Sequence, residues 1–222
     1  MSQPLPTPPT AVDWNHFFAL TGAIGLIALA VVVGAMVYFV LSSRKIKIPS
    51  PPAHVHVSRV REFIVVASIS AILLFSLSIA SFRMTANLQY SPAASETYTI
   101  DVTAFQWYFQ FTYPNNVTSI HDCYVPAGKN ITFNVTSADV MHNFGLPDFK
   151  LKIDAIPGRY NILWITTPKV NPGQQLNYQI RCYELCGVGH TYMTGSLLVM
   201  EQGAFNQWLS NKTMTNMTAT GG

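Results

Sequence analysis

The sequence predicts a membrane-anchored all-β protein, in which a hairpin of two transmembrane helices precedes a Greek-key β-barrel. Three observations carry this. Residues 17–41 hold 25 positions without a charged side chain, and residues 63–82 hold another 20. Each run is long enough, at 1.5 Å per residue, to cross roughly 30 Å of hydrocarbon. Second, Arg44, Lys45, Lys47, Arg59 and Arg61 all lie between the two runs, while residues 1–16 contain no basic residue. Third, beyond residue 84 the pattern changes to short alternating runs broken by Pro, Gly and Asn, as in an antiparallel sandwich or barrel.

In chain order, the reading gives an extracytoplasmic N-terminal segment over 1–16 and a first transmembrane helix over 17–41. A basic cytoplasmic loop over 42–62, a second helix over 63–83 and one outer domain over 84–222 follow. The clustered Lys and Arg place the loop inside and both termini outside, a two-pass arrangement in the plasma membrane. A cleaved signal peptide fits the first run poorly, because no Lys or Arg precedes it and the apolar stretch is too long. Within the outer domain, strands are expected at 98–102, 107–111, 131–135, 176–180 and 196–200. They are separated by turn clusters at Pro114-Asn115-Asn116, Pro126-Ala127-Gly128 and Asn171-Pro172-Gly173. A short helix is expected at 204–209, followed by a mobile polar tail rich in Thr and Asn.

The densest chemistry lies in Cys182-Tyr183-Glu184-Leu185-Cys186-Gly187-Val188-Gly189-His190-Thr191-Tyr192-Met193. Two thiols, an imidazole and a thioether share one short loop. Soft sulfur ligands select copper, and a His-plus-Cys site with a weak Met ligand is the usual arrangement for passing single electrons. A mononuclear blue-copper loop has one Cys. The second here allows both sulfurs to bridge a pair of metals, which then needs a second histidine, and His142 in Asp139-Val140-Met141-His142 is the candidate. The competing reading is a Cys182–Cys186 disulfide on the oxidising side of the membrane. A disulfide has no use for His190 and Met193 at those offsets.

This pattern resembles subunit II of the heme-copper terminal oxidases, of the archaeal type, with its dinuclear CuA centre. Further matching motifs are Phe105-Gln106-Trp107-Tyr108-Phe109 and Asp154-Ala155-Ile156-Pro157-Gly158-Arg159. The resemblance covers nearly the whole chain and implies a cupredoxin-like barrel. It implies that Cys182 and Cys186 bridge both coppers, with His142 and Met193 completing one and His190 and the Glu184 carbonyl completing the other. It further implies electron transfer to a heme in subunit I from an external donor, and no oxygen chemistry in this chain alone.

Other roles follow from the same resemblance. Trp107 matches the surface tryptophan where electrons enter, against the ordinary reading of an aromatic in a barrel core. The Glu184 carboxylate matches a ligand to a magnesium or manganese ion shared with subunit I; hard oxygen ligands suit that ion. Asp139, Asp154 and Arg159 are expected to support the copper ligands or the contact with subunit I, where loop-bracing ion pairs are the plainer reading. Glu62 resembles a glutamate at the mouth of a proton pathway, although a Glu near a helix N-terminus also complements the helix dipole. Cys123 and His121 read as packing or surface residues, Met141 and Met200 as packing, and His16, His54 and His56 as solvated.

From residue 96 onward there are eight carboxylates against seven Lys and Arg. An acidic patch to steer a basic cytochrome c is hard to build from these, which points to a less charged donor such as a small blue-copper protein, or to a direct relay within a larger respiratory complex. Sparse carboxylates also suit an acidic exterior. Five Asn-X-Thr triplets, at Asn116, Asn130, Asn134, Asn211 and Asn216, are about twice the number expected by chance for glycosylation acceptors. With a net charge of +3 and no basic cluster outside the loop, nothing argues for nucleic acid. The rival functions are a membrane-tethered blue-copper carrier and a copper-free structural surface module. A quinol oxidase subunit lacks the copper ligands, and a nitrous oxide reductase needs a further large domain.

Overall fold

A computed structural model describes residues 8–43, 58–89 and 97–220. The chain divides into a helical unit, residues 15–87, and a unit built on the β domain.

Helix α1 spans Pro9–Ser43 and α2 spans Ser58–Gln89. Both outrun the apolar stretches that announced them, because hydrophobicity marks the thickness of hydrocarbon and not the ends of a helix. Proline is tolerated at the start of α1, where its missing N–H would have had no partner. The amides of Ala11 and Val12 bond the Pro8 carbonyl at 3.0 and 3.1 Å. The stretches Ala11–Ser42 and Ile64–Ala86 are long and apolar enough to cross a membrane, with mean hydropathy 2.7 and 2.3. Hydroxyls inside them bond backwards to the main chain, Thr21 to Phe17 and Ser78 to Leu74, so few polar atoms are left for lipid to meet. Residues 44–57, most of the expected basic loop, lie outside the described residues, as does the side chain of Glu62.

The β domain has ten strands: β1 (Thr97–Phe105), β2 (Tyr108–Thr112), β3 (Thr118–Ile120), β4 (Asp122–Pro126), β5 (Asn130–Ser137), β6 (His142–Leu146), β7 (Leu151–Ala155), β8 (Asn161–Thr166), β9 (Gln175–Cys182) and β10 (Thr194–Met200). They form two five-stranded sheets, in the orders β3-β2-β1-β5-β8 and β4-β10-β9-β6-β7. The β1–β5 and β10–β4 pairs are parallel and the others antiparallel. The expected strand at 107–111 begins one residue later, because Trp107 sits in the β1–β2 turn.

Strand alternation explains the core. In β1 the side chains of Ile100, Val102 and Ala104 are buried, and β9 buries Leu176, Tyr178, Ile180 and Cys182. Phe144 on β6 sits between the sheets, with its ring centroid 5.2 Å from Phe133, 5.4 Å from Phe109 and 6.2 Å from Phe111. Edge-to-face and tilted pairs of this kind add about 0.5–1.5 kcal/mol each beyond area burial. They hold β6, which begins with His142.

Helix α3 spans Gln202–Thr220, so the tail expected to be mobile after residue 209 is helical through Thr220. Its Phe205 and Trp208 pack on Tyr98, Tyr113 and Tyr124. That anchoring was hidden by the polarity of residues 210–220, which looks like a solvated coil when read without the aromatic pair before it.

Candidate metal centre

One end of the sandwich collects the ends of β1, β5 and β9 and the starts of β2, β6 and β10. His142 opens β6 and is fully buried; Cys182 closes β9; Met193 stands just before β10, also fully buried. Cys186 and His190 lie on the loop between β9 and β10, where Gly187 adopts φ 112°, a conformation that favours glycine.

The donor atoms converge. The two sulfurs are 3.8 Å apart, Cys182 Sγ is 4.0 Å from His142 Nδ1 and Cys186 Sγ is 3.6 Å from His190 Nδ1. Met193 Sδ lies 3.8 Å from Cys186 Sγ, and the Glu184 carbonyl oxygen lies 3.3 Å from Cys182 Sγ. The ligand atoms of His142, Cys182 and Cys186 all fall within 4.8 Å of one another. A disulfide needs sulfurs about 2.05 Å apart, so the pair is two free thiols. Burial, and then the neighbouring Cys182, push the Cys186 thiol up to about 12. Two free thiols, two imidazoles and a thioether aimed at one small volume match the soft donor set that copper takes, with the cysteines coordinating as thiolates.

A polar frame orients these donors. His142 Nε2 faces Asp139 Oδ1 at 2.8 Å, which leaves Nδ1 to face the sulfurs. Burial opposes ionisation of Asp139, but hydrogen bonds from His142 and from the Gln106 and Val140 amides outweigh it and hold the carboxyl below its usual range. Gln106 works at both ends. Its amide donates to Asp139 Oδ2 at 2.7 Å, and its side-chain Nε2 donates to the Cys186 carbonyl at 2.8 Å. Trp107 Nε1 donates to the same carbonyl at 3.1 Å. The indole lies so close over Gly189 that a Cβ there would overlap the ring.

The expected residues sort clearly. His142, Cys182, the Glu184 carbonyl, Cys186, His190 and Met193 come together, with Asp139 and Trp107 against them. Asp154 stands further out and accepts a 2.7 Å hydrogen bond from Asn143, the residue after His142. Arg159 is exposed, with no ionic partner among the described residues. The Glu184 carboxylate has none either. Cys123 is fully buried in the core, and burial drives its thiol far above the usual range. His121, at φ 66°, bends the chain between β3 and β4. Sequence reasoning did not single out Gln106 or Gly189. Gln106 sits inside a quoted aromatic run, but its two partners are 33 and 80 positions away.

Three apolar side chains between Cys182 and Met193 stand open to solvent: Leu185 is 78% exposed, Tyr192 84% and Val188 89%.

Residues 119–201 match the family described as cytochrome c oxidase subunit II, periplasmic domain. The chain is 34% identical over 210 residues to a heme-copper oxidase subunit 2 of Aeropyrum pernix, covering 89% of this chain and 88% of that one. It is 26% identical to a probable cytochrome c oxidase subunit 2 of Rickettsia prowazekii, over 96% of this chain and 72% of the relative. The crystal structure of the periplasmic domain of Bradyrhizobium japonicum cytochrome oxidase subunit II superposes with a TM-score of 0.51 at 31% identity, covering 57% of this chain and 99% of that domain. With a sandwich of that fold, a sulfur-rich centre at its end and a relative this similar over nearly its full length, the chain belongs to the subunit II family of the heme-copper oxidases.

Proposed function

We propose that this chain is the subunit through which single electrons enter a respiratory heme-copper oxidase, received from an external donor at a dinuclear copper centre and delivered toward the heme of subunit I. The observation that carries it is the convergence of Cys182 and Cys186, 3.8 Å apart and unbonded, with His142, His190 and Met193. His142 and Met193 would hold one copper, His190 and the Glu184 carbonyl the other, and the two thiolates both. Bound there, a copper pair would supply a one-electron redox couple.

The protein's part is to position and to exclude water. Asp139 keeps the proton of His142 on Nε2 and the lone pair of Nδ1 toward the sulfurs. Gln106 joins that carboxylate to the Cys186 main chain, so the strand and loop halves of the centre keep one spacing. Met193 and His142 are closed to solvent. Trp107, half-buried and bonded through its indole N–H to the Cys186 carbonyl, offers donor electrons a short path from a surface ring to the centre. The Glu184 carboxylate, without an ionic partner among the described residues, is assigned to a magnesium or manganese ion shared with subunit I. Asp154 and Arg159 face the same contact, and Glu62 marks the mouth of a proton path.

The donor is a weakly charged carrier, a small blue-copper protein in preference to a basic cytochrome c. The near balance of acids and bases and the apolar rim of Leu185, Val188 and Tyr192 support this. The helices anchor the chain in the plasma membrane with both termini outside. The test is stopped-flow reduction of the copper-loaded full chain by each donor type as ionic strength is raised. A reduction rate by the blue-copper protein nearly independent of salt is expected. Rapid reduction by basic cytochrome c alone, falling steeply with salt, would overturn the donor assignment.

A further inference from the structure

The five Asn-X-Thr triplets are not equivalent once folded. Two lie on β5, Asn130-Ile131-Thr132 and Asn134-Val135-Thr136, where Ile131 and Val135 point into the core and are fully buried. A strand that alternates polar-out with apolar-in writes this triplet as a by-product of its period of two. Both asparagines are engaged by neighbouring strands. Asn134 Nδ2 donates to Asp101 Oδ1 on β1 at 2.9 Å, and Asn130 Oδ1 accepts from the Thr166 hydroxyl on β8 at 2.9 Å. Asn211 and Asn216 lie on α3, where the Thr213 hydroxyl already donates to the Leu209 carbonyl and accepts from Asn115 Nδ2.

Asn116 differs in every respect. It lies in the three-residue loop of the β2–β3 hairpin, closed by Asn116 N to Tyr113 O at 2.9 Å and Tyr113 N to Val117 O at 2.9 Å. Its φ of 59° is the left-handed position that follows a turn in such loops, one that Asn tolerates. Val117 is buried and pins the loop, while Asn116 and Thr118 are exposed on either side of it. Among the described residues the Asn116 side chain has no partner. β2 carries Trp107's neighbour Tyr108 at its start and ends at Thr112 before this loop. Asn116 is therefore about 14 Å or more from the metal-centre end at roughly 3.4 Å per residue.

We propose that Asn116 is the N-glycan acceptor of this domain, and that the triplets on β5 are strand patterning without modification. In the transfer, Asn116 Nδ2 attacks C1 of an oligosaccharide carried on a lipid phosphate. The C1–O bond breaks, the lipid phosphate leaves with its electron pair, a C1–N bond forms and the amide nitrogen gives up one proton. Thr118 supplies the hydroxyl two residues on that such acceptors require. The glycan projects from the end of the sandwich opposite Trp107, so it shields the hairpin without obstructing a donor. The proposal rests on the extracytoplasmic placing of the domain.

The test is peptide mapping by mass spectrometry of the full chain purified with its oxidase from the membranes that make it, with an Asn116→Gln variant in parallel. The peptide holding residues 114–118 is expected to carry added hexose mass, Asn116→Gln to remove that mass, and Asn130 and Asn134 to be bare. A bare Asn116, or sugar on Asn130 or Asn134 in its place, overturns the proposal. A copper count on the same sample separates the two readings, since normal copper with a bare Asn116 removes only the glycan. Labelling of an Asn116→Cys variant by a membrane-impermeant maleimide in intact cells shows whether a bare site reflects the side of the membrane.

Discussion

The two halves of the metal centre are held by different physics. His142 comes from a strand on which Phe144, two residues on, is locked among three phenylalanine rings. Cys186 and His190 come from a loop whose outer side chains are bare to solvent and whose main chain is held by Gln106 and Trp107. The difference teaches that the strand half is fixed by folding itself, whereas the loop half is fixed by a few hydrogen bonds reaching across from the β1–β2 turn. Damage to the first should appear as instability, and damage to the second as an altered centre in a stable domain.

The largest expected effect breaks the strand half. Phe144→Ala should destabilise the β domain by about 3–5 kcal/mol through a cavity at the centre of the ring cluster, read as a shift of the urea midpoint by tryptophan fluorescence. A loss under about 1 kcal/mol would mean that the cluster does not anchor β6.

Next is the carboxylate behind His142. Asp139→Ala should weaken copper binding about 10- to 100-fold, measured by competition with a chelator, and Asp139→Asn should recover part of it by keeping an oxygen toward Nε2. Equal affinity in all three proteins would remove the orienting role.

Gln106→Ala should cost less in stability, about 1 kcal/mol, because Trp107 still donates to the Cys186 carbonyl. It should nonetheless shift the reduction potential of the loaded centre, by letting the two halves drift. An unchanged potential would show that the loop keeps its place unaided. Smallest of all, Val188→Ser should leave stability within about 0.5 kcal/mol and the copper count unchanged, while lowering the rate of reduction by a weakly charged donor. A large loss of copper from that exposed change would contradict the division drawn here.

The candidate donor set was legible in the sequence because five of its six members lie within twelve consecutive positions, and the sixth, His142, was offered as the second histidine that the paired cysteines required. The membrane helices were legible from apolar length, but their ends were not, since a helix continues past the hydrocarbon until its backbone loses partners. Gln106 was invisible for a different reason. Its function depends on the register that brings the β1–β2 turn beside residues 139 and 186, and no local pattern encodes that register. The β5 triplets show the converse, a motif written by strand alternation that reads as something else until the sheet is known. The length of α3 was missed because its polar second half shows no apolar period, while the aromatic pair Phe205 and Trp208 in its first half packs on the domain.

The central claim is that both cysteines bridge one pair of coppers. Its most direct test is the electron paramagnetic resonance spectrum of the copper-loaded full chain in detergent, with a metal count on the same sample. One unpaired electron shared equally by two copper nuclei of spin 3/2 gives seven hyperfine lines, and the account predicts seven lines with two coppers per chain. Four lines with one copper would contradict it and leave a mononuclear carrier in its place.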